Sequence, residues 1–314
     1  MDFSESCILT EEIREAIHQG LPVVALESTV ITHGLPYPHN VQLAIDMENE
    51  VRGEKCIPAT IALINGKIHV GIDNKHLEKL VSNPDVHKIS VRDIGIALTR
   101  HWDGGTTVAG TMFIAYKTGI RILATGGIGG VHHEPAYDIS ADLLALAKTP
   151  LIIVCAGAKA ILDLPATVEF METNSIPVIG YLTDEFPGFY SRTSGMKAQI
   201  RSDSPQDVVK IAKNHWGIGV KSAVLVVNPP PPEVAIPGEQ IEEFIKRAVQ
   251  TAAIQDIRSQ SLTPFLLEKM NELSGGRSLV TNLGLLRNNA RLAAQIAREY
   301  HQMSFPGIEL RDEL

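Results

Sequence analysis

Short apolar runs alternate with amphipathic stretches along the 314-residue chain. The apolar runs are rich in Val, Ile and Leu and are bounded by Gly, Pro or polar residues, which is typical of buried strands. This pattern predicts strands over Leu21–Leu26, Thr60–Ile64, Lys67–Val70, His87–Val91, Ile120–Ala124, Leu151–Cys155, Pro177–Gly180 and Ala223–Val227. The amphipathic stretches predict helices over Pro38–Arg52, Thr107–Lys117, Ser140–Lys148, Pro205–His215, Gln240–Gln255, Pro264–Leu273 and Asn282–His301.

Strands that alternate with helices predict an α/β fold with three layers, α/β/α, around a central β-sheet. The sheet is expected to be mixed, because the Asn65-Gly66 pair between two strand patterns is a strong signal for an antiparallel hairpin. The prolines at 229–232 break the chain after a strand, and we interpret them as a rigid loop. Residues 1–314 are therefore predicted to form a single domain.

Composition and charge exclude some classes of function. Hydrophobic residues make up 44% of the chain and charged residues 20%, as in globular proteins with a sizeable core. The net charge is −8 and there is no basic run, so unassisted binding to nucleic acid or to a membrane surface is not expected. A small phosphorylated ligand needs only a few local cations and is still possible.

Cysteine usage and the N-terminal sequence bear on the compartment. Cys7, Cys56 and Cys155 are scattered and form no metal-binding spacing, which is typical of reduced, intracellular proteins. The first residues carry acids where a signal peptide would be basic and then apolar. No apolar run approaches the roughly 20 residues that a membrane span needs. We expect an intracellular protein, in the cytoplasm or in an organelle such as the peroxisome.

Polar residues follow several of the predicted strands, where ligands bind in open α/β sheets. Glu27 follows the first strand, Lys88 lies in another, Thr125 follows a third, and Lys159 comes shortly after a fourth. Because these side chains would converge on one edge of the sheet, the sequence indicates an active site there.

The glycine run Gly126–Gly130 follows Thr125 directly. It does not match the dinucleotide-binding fingerprint, which would need glycine at His132, and no Gly-Lys-Ser/Thr follows as in a P-loop. One interpretation is a tight turn with positive φ angles. The other is a loop whose backbone approaches a ligand closely.

Asp138 and Asp142 stand four residues apart where a helix is predicted to start, which would place both carboxylates on one helical face. They could be an N-cap and an acid favoured by the helix dipole. Alternatively, one of them could hold a divalent cation with waters. A lone carboxylate fits Mg²⁺ or Mn²⁺ better than Zn²⁺.

Lys159 follows an apolar strand and three small residues, so its amine is expected to be partly desolvated. Desolvation favours a neutral, nucleophilic amine that can form a Schiff base with a carbonyl carbon. The alternative is a surface lysine at a helix start. Thr107 and Val108 open a helix whose free amides could bind phosphate, or Thr107 could be an ordinary cap. For Asn282 the pattern favours a helix N-cap.

Seven motifs together resemble one known family, the pseudouridine-5′-phosphate glycosidases, also called indigoidine-synthase-A-like proteins. They are ALESTVITHGLPYPHNVQLAIDME, IPATIALINGKIHVG, TTVAGTM, ATGGIGGVH, YDISADL, VCAGAKAILDL and TPFLLEKM. The resemblance runs from Pro22 to Tyr300, nearly the whole chain. It implies an α/β/α enzyme that converts pseudouridine 5′-phosphate and water to uracil and ribose 5-phosphate, reversibly, as a homotrimer that holds a manganese ion, with Mg²⁺ possible.

The resemblance also implies roles for individual residues. Lys159 resembles the nucleophile that bonds to ribose C1′, Glu27 the proton donor, and Asp138 the metal ligand. Further positions resemble contacts to substrate: Lys88 facing the sugar, Thr107 and Val108 beside the ligand, Ser140, Ala141 and Asp142 against substrate, His132 in the pocket, and Thr125 with Asn282 reading uracil. Asp142 and His132 could transfer protons or only position other groups.

Two departures from the family pattern and two rival functions stay open. Val91 stands where the pattern has a basic residue, which bears on phosphate contacts, and Cys56 replaces a small residue. A lysine-dependent sugar-phosphate aldolase or lyase would share the Schiff-base lysine but would not need to read uracil. A nucleotide-binding regulator without catalysis would tolerate loss of Lys159. A scaffold role is least favoured, because it does not use this set of residues.

Overall fold

The computed structural model describes residues 3–133, 138–255, 257 and 262–303. Its strands are β1 Cys7–Leu9, β2 Val23–Leu26, β3 Ile57–Ile64, β4 Lys67–Val70, β5 His87–Ile89, β6 Gly104–Thr106, β7 Ile122–Ala124, β8 Ile152–Cys155, β9 Val178–Tyr181, β10 Ile200–Ser202 and β11 Val224–Val227. Its helices are α1 Phe3–Ser6, α2 Glu11–Gln19, α3 His39–Gly53, α4 Asn74–Ser82, α5 Val91–Arg100, α6 Val108–Lys117, α7 Ala141–Lys148, α8 Leu164–Thr173, α9 Pro205–Gly217, α10 Gly238–Ile254, α11 Leu262–Leu273 and α12 Arg277–Gln302. A π-helical turn spans Val30–Gly34.

The strands form one mixed sheet in the order β1-β4-β3-β2-β7-β8-β11-β9-β10, and β6 joins β5 to β3. Strand β3 runs antiparallel to β4 and β6, whereas the other pairs are parallel. This confirms the predicted mixed α/β sheet. Strands β2, β7, β8 and β11 are parallel neighbours, so their carboxyl ends meet at one edge.

The predicted hairpin lies between β3 and β4. Asn65 and Gly66 both have positive φ angles, 50° and 68°, as a two-residue turn of this kind requires. A Cβ at Gly66 would stand 2.7 Å from the Cα of His101, so the position excludes any side chain for a second reason. This turn makes β4 run antiparallel to β3. Because β3 also pairs parallel with β2, it connects the antiparallel strands to the parallel centre of the sheet.

Helices pack against the sheet in layers, as predicted. Helix α12 packs along α3 and α9 and contacts β2, β7 and β8, whereas α6 packs with α7. One hydrophobic cluster, from Ile13 to Ala297, includes residues of the sheet and of both helix groups. No helix in the part of the chain that the structure describes has both the length and the apolar character needed to cross a membrane.

Three predictions about residues near the site are wrong. Strand β5 ends at Ile89, and Val91 begins α5 because Ser90 and Asp93 form a capping box. Asp138 lies before α7, which starts at Ala141, so it does not share a helical face with Asp142. Helix α12 begins at Arg277, so Asn282 is a buried residue inside the helix and not its N-cap.

Candidate active site

A cavity of about 420 Å³ opens at the sheet edge where β2, β7 and β8 end. It lies between the turns after these strands, strand β5 and the π-helical turn. Its lining residues come from distant parts of the chain: Glu27, Thr29, Val30, His33, Gly34, Val86, His87, Lys88, Asp93, Trp102, Gly126, Gly127, Lys159, Phe189, Leu267 and Asn282. This volume is suited to a small molecule rather than to a polymer.

Glu27 is the buried carboxyl of the cavity, placed by the end of β2. Only 7% of its surface is exposed, and the Thr125 hydroxyl donates to its Oε1 at 2.5 Å. Burial raises the pKa of Glu27, and Asp142 adds to this, while the charges of Lys159 and Lys88 and the Thr125 hydrogen bond oppose it. A carboxyl whose pKa is raised by burial can keep a proton for donation to substrate.

Lys88 reaches the cavity from β5, which joins the central strands through β6 and β3. Its side chain is open to the cavity, but the surrounding protein desolvates it, and this lowers the pKa of its ammonium. The charge of Lys159 lowers the pKa further, whereas Asp142 and Glu27 oppose the shift. The two lysines and two carboxylates therefore lie within electrostatic reach of one another.

Lys159 is half-buried at the turn after β8. Its amide donates to the Ile128 carbonyl at 3.1 Å, which ties this turn to the glycine run. Gly157, two residues earlier, has a φ of +93°, and a Cβ there would stand 2.7 Å from the Phe186 ring. Small residues and close packing therefore fix the backbone beneath the lysine, while the predicted desolvation of its amine stays a prediction.

Asp142 joins two backbone segments beside the cavity. Its Oδ1 accepts from the Ala109 amide and its Oδ2 accepts from the Gly129 amide, both at 2.9 Å. These bonds link the first turn of α6 to the glycine run. Both carboxylate oxygens already accept a hydrogen bond, and this favours a positioning role over proton transfer.

Side chains from other parts of the protein pack closely against the glycine run. None of Gly126, Gly127, Gly129 and Gly130 has a positive φ, so the tight-turn interpretation is wrong. A Cβ on Gly127 would stand 2.6 Å from the Phe189 ring, and on Gly129 2.1 Å from Ser140 Oγ. Gly126 and Gly127 also line the cavity, which agrees with a close approach to a ligand.

The structure places some of the predicted site residues in the cavity lining and most of the others behind it. Glu27, Lys88, Lys159 and Asn282 line the cavity. Other predicted residues lie behind the lining: Thr125 bonds to Glu27, Thr107 caps α6, Val108 begins it, Ser140 caps α7, and Ala141 begins α7 beside Asp142. Their direct contact with a substrate stays a prediction.

His132 and Asp138 lie apart from this group. The His132 amide donates to the Asp138 carbonyl at 2.9 Å, and neither residue is among those that line the cavity in the described part of the chain. Asp138 is exposed. Among the described residues there is no cluster of three or more His, Cys, Asp or Glu placed to hold a metal ion. A single accessible carboxylate still fits a hard cation that keeps most of its waters.

Sequence reasoning missed several residues of the cavity. His33 lies on the π-helical turn, where its Nδ1 is 2.7 Å from the Thr32 hydroxyl, and burial lowers its pKa. The His87 ring stacks on Trp102 with 3.8 Å between ring centroids. His33 stands inside the motif THGLPYP, which could have drawn attention to it. Phe189 comes from the β9–β10 loop, and no local pattern connects it with the other residues.

Comparison with known proteins now identifies the group to which this site belongs. Residues 12–299 match the family described as "Indigoidine synthase A like protein". The chain belongs to this family. The pseudouridine-5′-phosphate glycosidase of Caldanaerobacter subterraneus subsp. tengcongensis is 46% identical over 94% of this chain and 97% of its own length. That of Solibacter usitatus is 49% identical over 91% and 96%.

Solved structures of the indigoidine synthase A-like fold agree with the architecture described above. The prealnumycin C-glycosynthase AlnA, in complex with ribulose 5-phosphate, superposes with a TM-score of 0.88 at 35% identity, covering 94% of this chain and 97% of that chain. An indigoidine synthase A-like protein from Thermotoga maritima superposes with a TM-score of 0.86 at 33% identity, covering 94% and 96%. The cavity at the strand ends thus belongs to a family of enzymes.

Proposed function

We propose that this chain is a pseudouridine-5′-phosphate glycosidase, which reversibly cleaves the carbon–carbon bond between uracil and ribose 5-phosphate. One observation carries the proposal: a buried carboxyl with a raised pKa, Glu27, shares a small cavity with two lysines, Lys88 and Lys159. The names of the relatives support the same activity. Pseudouridine catabolism is the process that this reaction would serve.

The chemistry of a carbon–carbon glycosidic bond explains why a lysine is needed beside the acid. Ordinary glycosidases use two carboxylates, because an oxygen or nitrogen leaving group departs once it is protonated. A carbon leaving group does not depart in this way. Its bond breaks only if uracil C5 receives a proton and the electron pair that C1′ then loses to the uracil ring is replaced. The nitrogen lone pair of an amine bonded to C1′ can replace it, which makes the C1′–N bond an imine.

The residues of the cavity suit the following series of reaction steps. Glu27 donates a proton to the ribose ring oxygen, and the ring opens. The amine of Lys159 bonds to C1′. When uracil C5 is protonated, the C1′–C5 bond breaks and leaves an imine between Lys159 and ribose 5-phosphate. Water then hydrolyses the imine, which frees the sugar and the lysine. General acid catalysis of each proton transfer is worth about 10²–10⁴-fold.

Substrate contacts are assigned by position. Asn282 lines the cavity and has an amide suited to the uracil edge. Thr125 already donates its hydroxyl to Glu27, so it would meet uracil as an acceptor. Lys88 provides a cation for the sugar phosphate from β5. At the start of α6, the Val108 amide is assigned to the phosphate, since the next two amides, of Ala109 and Gly110, donate to Asp142 and Thr107.

The metal is assigned to Asp138. Its exposed carboxylate would hold Mn²⁺, or Mg²⁺, together with water molecules. Such an ion would supply positive charge that orders water and phosphate. We also propose a homotrimer in an intracellular compartment, and sedimentation analysis of the purified protein tests the assembly.

The decisive experiment is incubation with pseudouridine 5′-phosphate and Mn²⁺, followed by chromatography for free uracil, with and without EDTA. Uracil release that EDTA abolishes supports both the proposed reaction and the requirement for a metal ion. Borohydride added during turnover should trap ribose 5-phosphate on Lys159, located by peptide mass spectrometry. A folded, metal-loaded protein that releases no uracil yet traps other sugar phosphates would instead be a lysine-dependent aldolase or lyase.

A further inference from the structure

Asn289 is a polar residue in the buried face of α12. It has no exposed surface, and its helix neighbours Leu285, Leu286 and Ala290 belong to the hydrophobic core. A buried primary amide is unfavourable unless its donor and acceptor groups are paired. The hydrogen-bond partners of Asn289 therefore explain why an asparagine can occupy this position.

Both polar atoms of the Asn289 amide have partners. Its Nδ2 donates to the Thr125 carbonyl at 2.9 Å, and its Oδ1 accepts from Asn228 Nδ2 at 3.0 Å. A carbonyl can only accept, so the orientation of the amide is fixed by this partner. The backbone amide of Asn228 donates to the Cys155 carbonyl at 2.8 Å, which connects Asn228 to β8.

Thr125 is held at three points as a result. The sheet pairing of β7 ends at Ala124, so the Thr125 carbonyl lies beyond the paired residues. Its amide donates to the Val154 carbonyl at 3.0 Å, and its hydroxyl donates to Glu27 Oε1 at 2.5 Å. The direction of a threonine hydroxyl depends on its backbone, because χ1 is restricted. Asn289 is thus one step removed from the proton donor.

We propose that Asn289 is a positioning residue that acts through Thr125: by holding the Thr125 carbonyl, it fixes the hydroxyl that orients the Glu27 carboxyl. Asn228 supports it by donating its side-chain amide to Asn289 Oδ1. The proposal rests on the proposed function, in which Glu27 donates a proton. Misplacement of a catalytic group by about 1 Å can cost about 10²-fold in rate.

The test is Asn289→Leu, which keeps the approximate size of the side chain and removes both hydrogen bonds. We expect kcat for uracil release to fall about 10–10²-fold, and by a larger factor than KM rises, because Asn289 lies behind the cavity lining and acts on the proton donor through Thr125. The alkaline limb of the pH profile should move to higher pH, since Glu27 loses the Thr125 bond while the charges of Lys159, Lys88 and Asp142 around it stay the same.

Two variants separate positioning from simple loss of stability. Ile296→Ala removes a fully buried apolar side chain from the same helix. It should lower the melting temperature without moving the pH limb. Asn228→Leu leaves the bond to Thr125 intact and should reduce kcat less than Asn289→Leu does. Wild-type kcat in Asn289→Leu, or a loss no larger than that of Ile296→Ala at equal stability, would overturn the proposal.

A conservative variant serves if Asn289→Leu does not fold. Asn289→Asp keeps the shape, and its buried carboxyl can donate to the Thr125 carbonyl only while it is protonated. We expect near wild-type kcat at low pH and a steeper loss than the wild type as pH rises. A profile that matches the wild type at every pH overturns the proposal.

A readout that does not use activity separates this inference from the proposed function. Titration of the Glu27 carboxyl, followed by ¹³C NMR and assigned with Glu27→Gln, should show a higher pKa in Asn289→Leu than in the wild type. If the wild type releases no uracil but the Glu27 titration shifts, the function fails and the positioning stands. If uracil is released and the titration does not shift, the positioning fails.

Discussion

The two walls of the cavity carry similar side chains in different settings. The central wall, at the ends of β2, β7 and β8, places Glu27 and Lys159 on parallel strands in the middle of the sheet, with Glu27 only 7% exposed. The outer wall, formed by β5 and the π-helical turn, places Lys88 open to the cavity beside His33 and His87. The backbone beneath Lys159 is fixed by the packing of Gly157 and by a hydrogen bond to Ile128, whereas Lys88 has an exposed side chain on a short strand.

This difference teaches how one site can separate chemistry from binding. Desolvation in the central wall raises the pKa of a carboxyl and holds it in one orientation, which favours proton transfer. The outer wall offers cationic and aromatic groups that remain accessible, which favours recognition of a charged substrate. Variants of the two walls should therefore differ in whether they change kcat or KM.

The largest effect is expected for Lys159→Ala, which removes the proposed nucleophile of the central wall. Turnover should fall by about 10⁴-fold or more, and borohydride should trap no sugar on the protein. The melting temperature should change little, because Lys159 is only half-buried. Lys148→Ala, on the exposed end of α7, is the control and should keep wild-type activity. Near wild-type turnover in Lys159→Ala would contradict the mechanism.

Glu27→Gln tests the acid of the same wall. We expect kcat to fall about 10²–10⁴-fold, because the amide keeps the shape but cannot donate the proton. The chain offers a close control in Glu48, whose Oε1 also accepts from a threonine hydroxyl, that of Thr60, at 2.5 Å. Glu48 also has a pKa raised by burial, and it does not line this cavity. Glu48→Gln should keep its activity, and equal losses in the two variants would show that burial alone explains the effect.

Lys88→Met tests the outer wall. The cation should contribute to binding of the phosphorylated substrate, so kcat/KM should fall on the order of 10–10²-fold, mainly through KM. Lys67→Met, an exposed strand lysine on β4, is the control. Steady-state kinetics at several salt concentrations measures both. A loss in kcat alone would mean that Lys88 acts in the chemical step and not in substrate binding. That result would contradict the division of roles between the central and outer walls.

Gly127→Ala tests the packing that shapes the central wall. A Cβ would stand 2.6 Å from the Phe189 ring, so we expect the free energy of unfolding to fall by about 1–3 kcal/mol. Gly95→Ala, in α5 behind the outer wall, meets no atom within 4 Å and should raise stability by about 0.5–1 kcal/mol. Denaturant titration measures both changes. Equal stability of the two variants would contradict the role assigned to the glycine run.

The smallest effect expected is a change with pH in the melting temperature of Glu27→Gln relative to the wild type. The folded-state pKa of Glu27 is raised by burial, so its contribution to stability is fully present below the unfolded pKa and is lost as pH rises through the folded value. Glu27→Gln removes this loss. The melting temperature of the variant relative to the wild type should therefore increase from acidic to neutral pH. A constant difference across that range would mean that Glu27 is not desolvated.

Local sequence patterns predicted much of the fold. The Asn65-Gly66 turn, the apolar strands and the residues that follow them were enough to place Glu27, Lys159 and Lys88 at one cavity, because parallel strands bring their carboxyl ends together. The helix boundaries were harder to predict. Ser90 and Asp93 carried a capping signal that favoured a helix over a longer strand, and Asn282 resembled a cap although it is buried inside α12.

The α/β architecture and the residues that carry the proposed chemistry could be predicted, because both follow from short-range patterns and motifs in the sequence. Which groups meet across the chain depends on the tertiary structure. Tertiary packing brings the Phe189 ring against Gly127 and the Thr125 hydroxyl within hydrogen-bond distance of Glu27. It also brings Asn289 to Thr125 across 164 positions of sequence. Such contacts depend on how distant segments pack, and burial then sets the pKa of Glu27, which no local pattern contains.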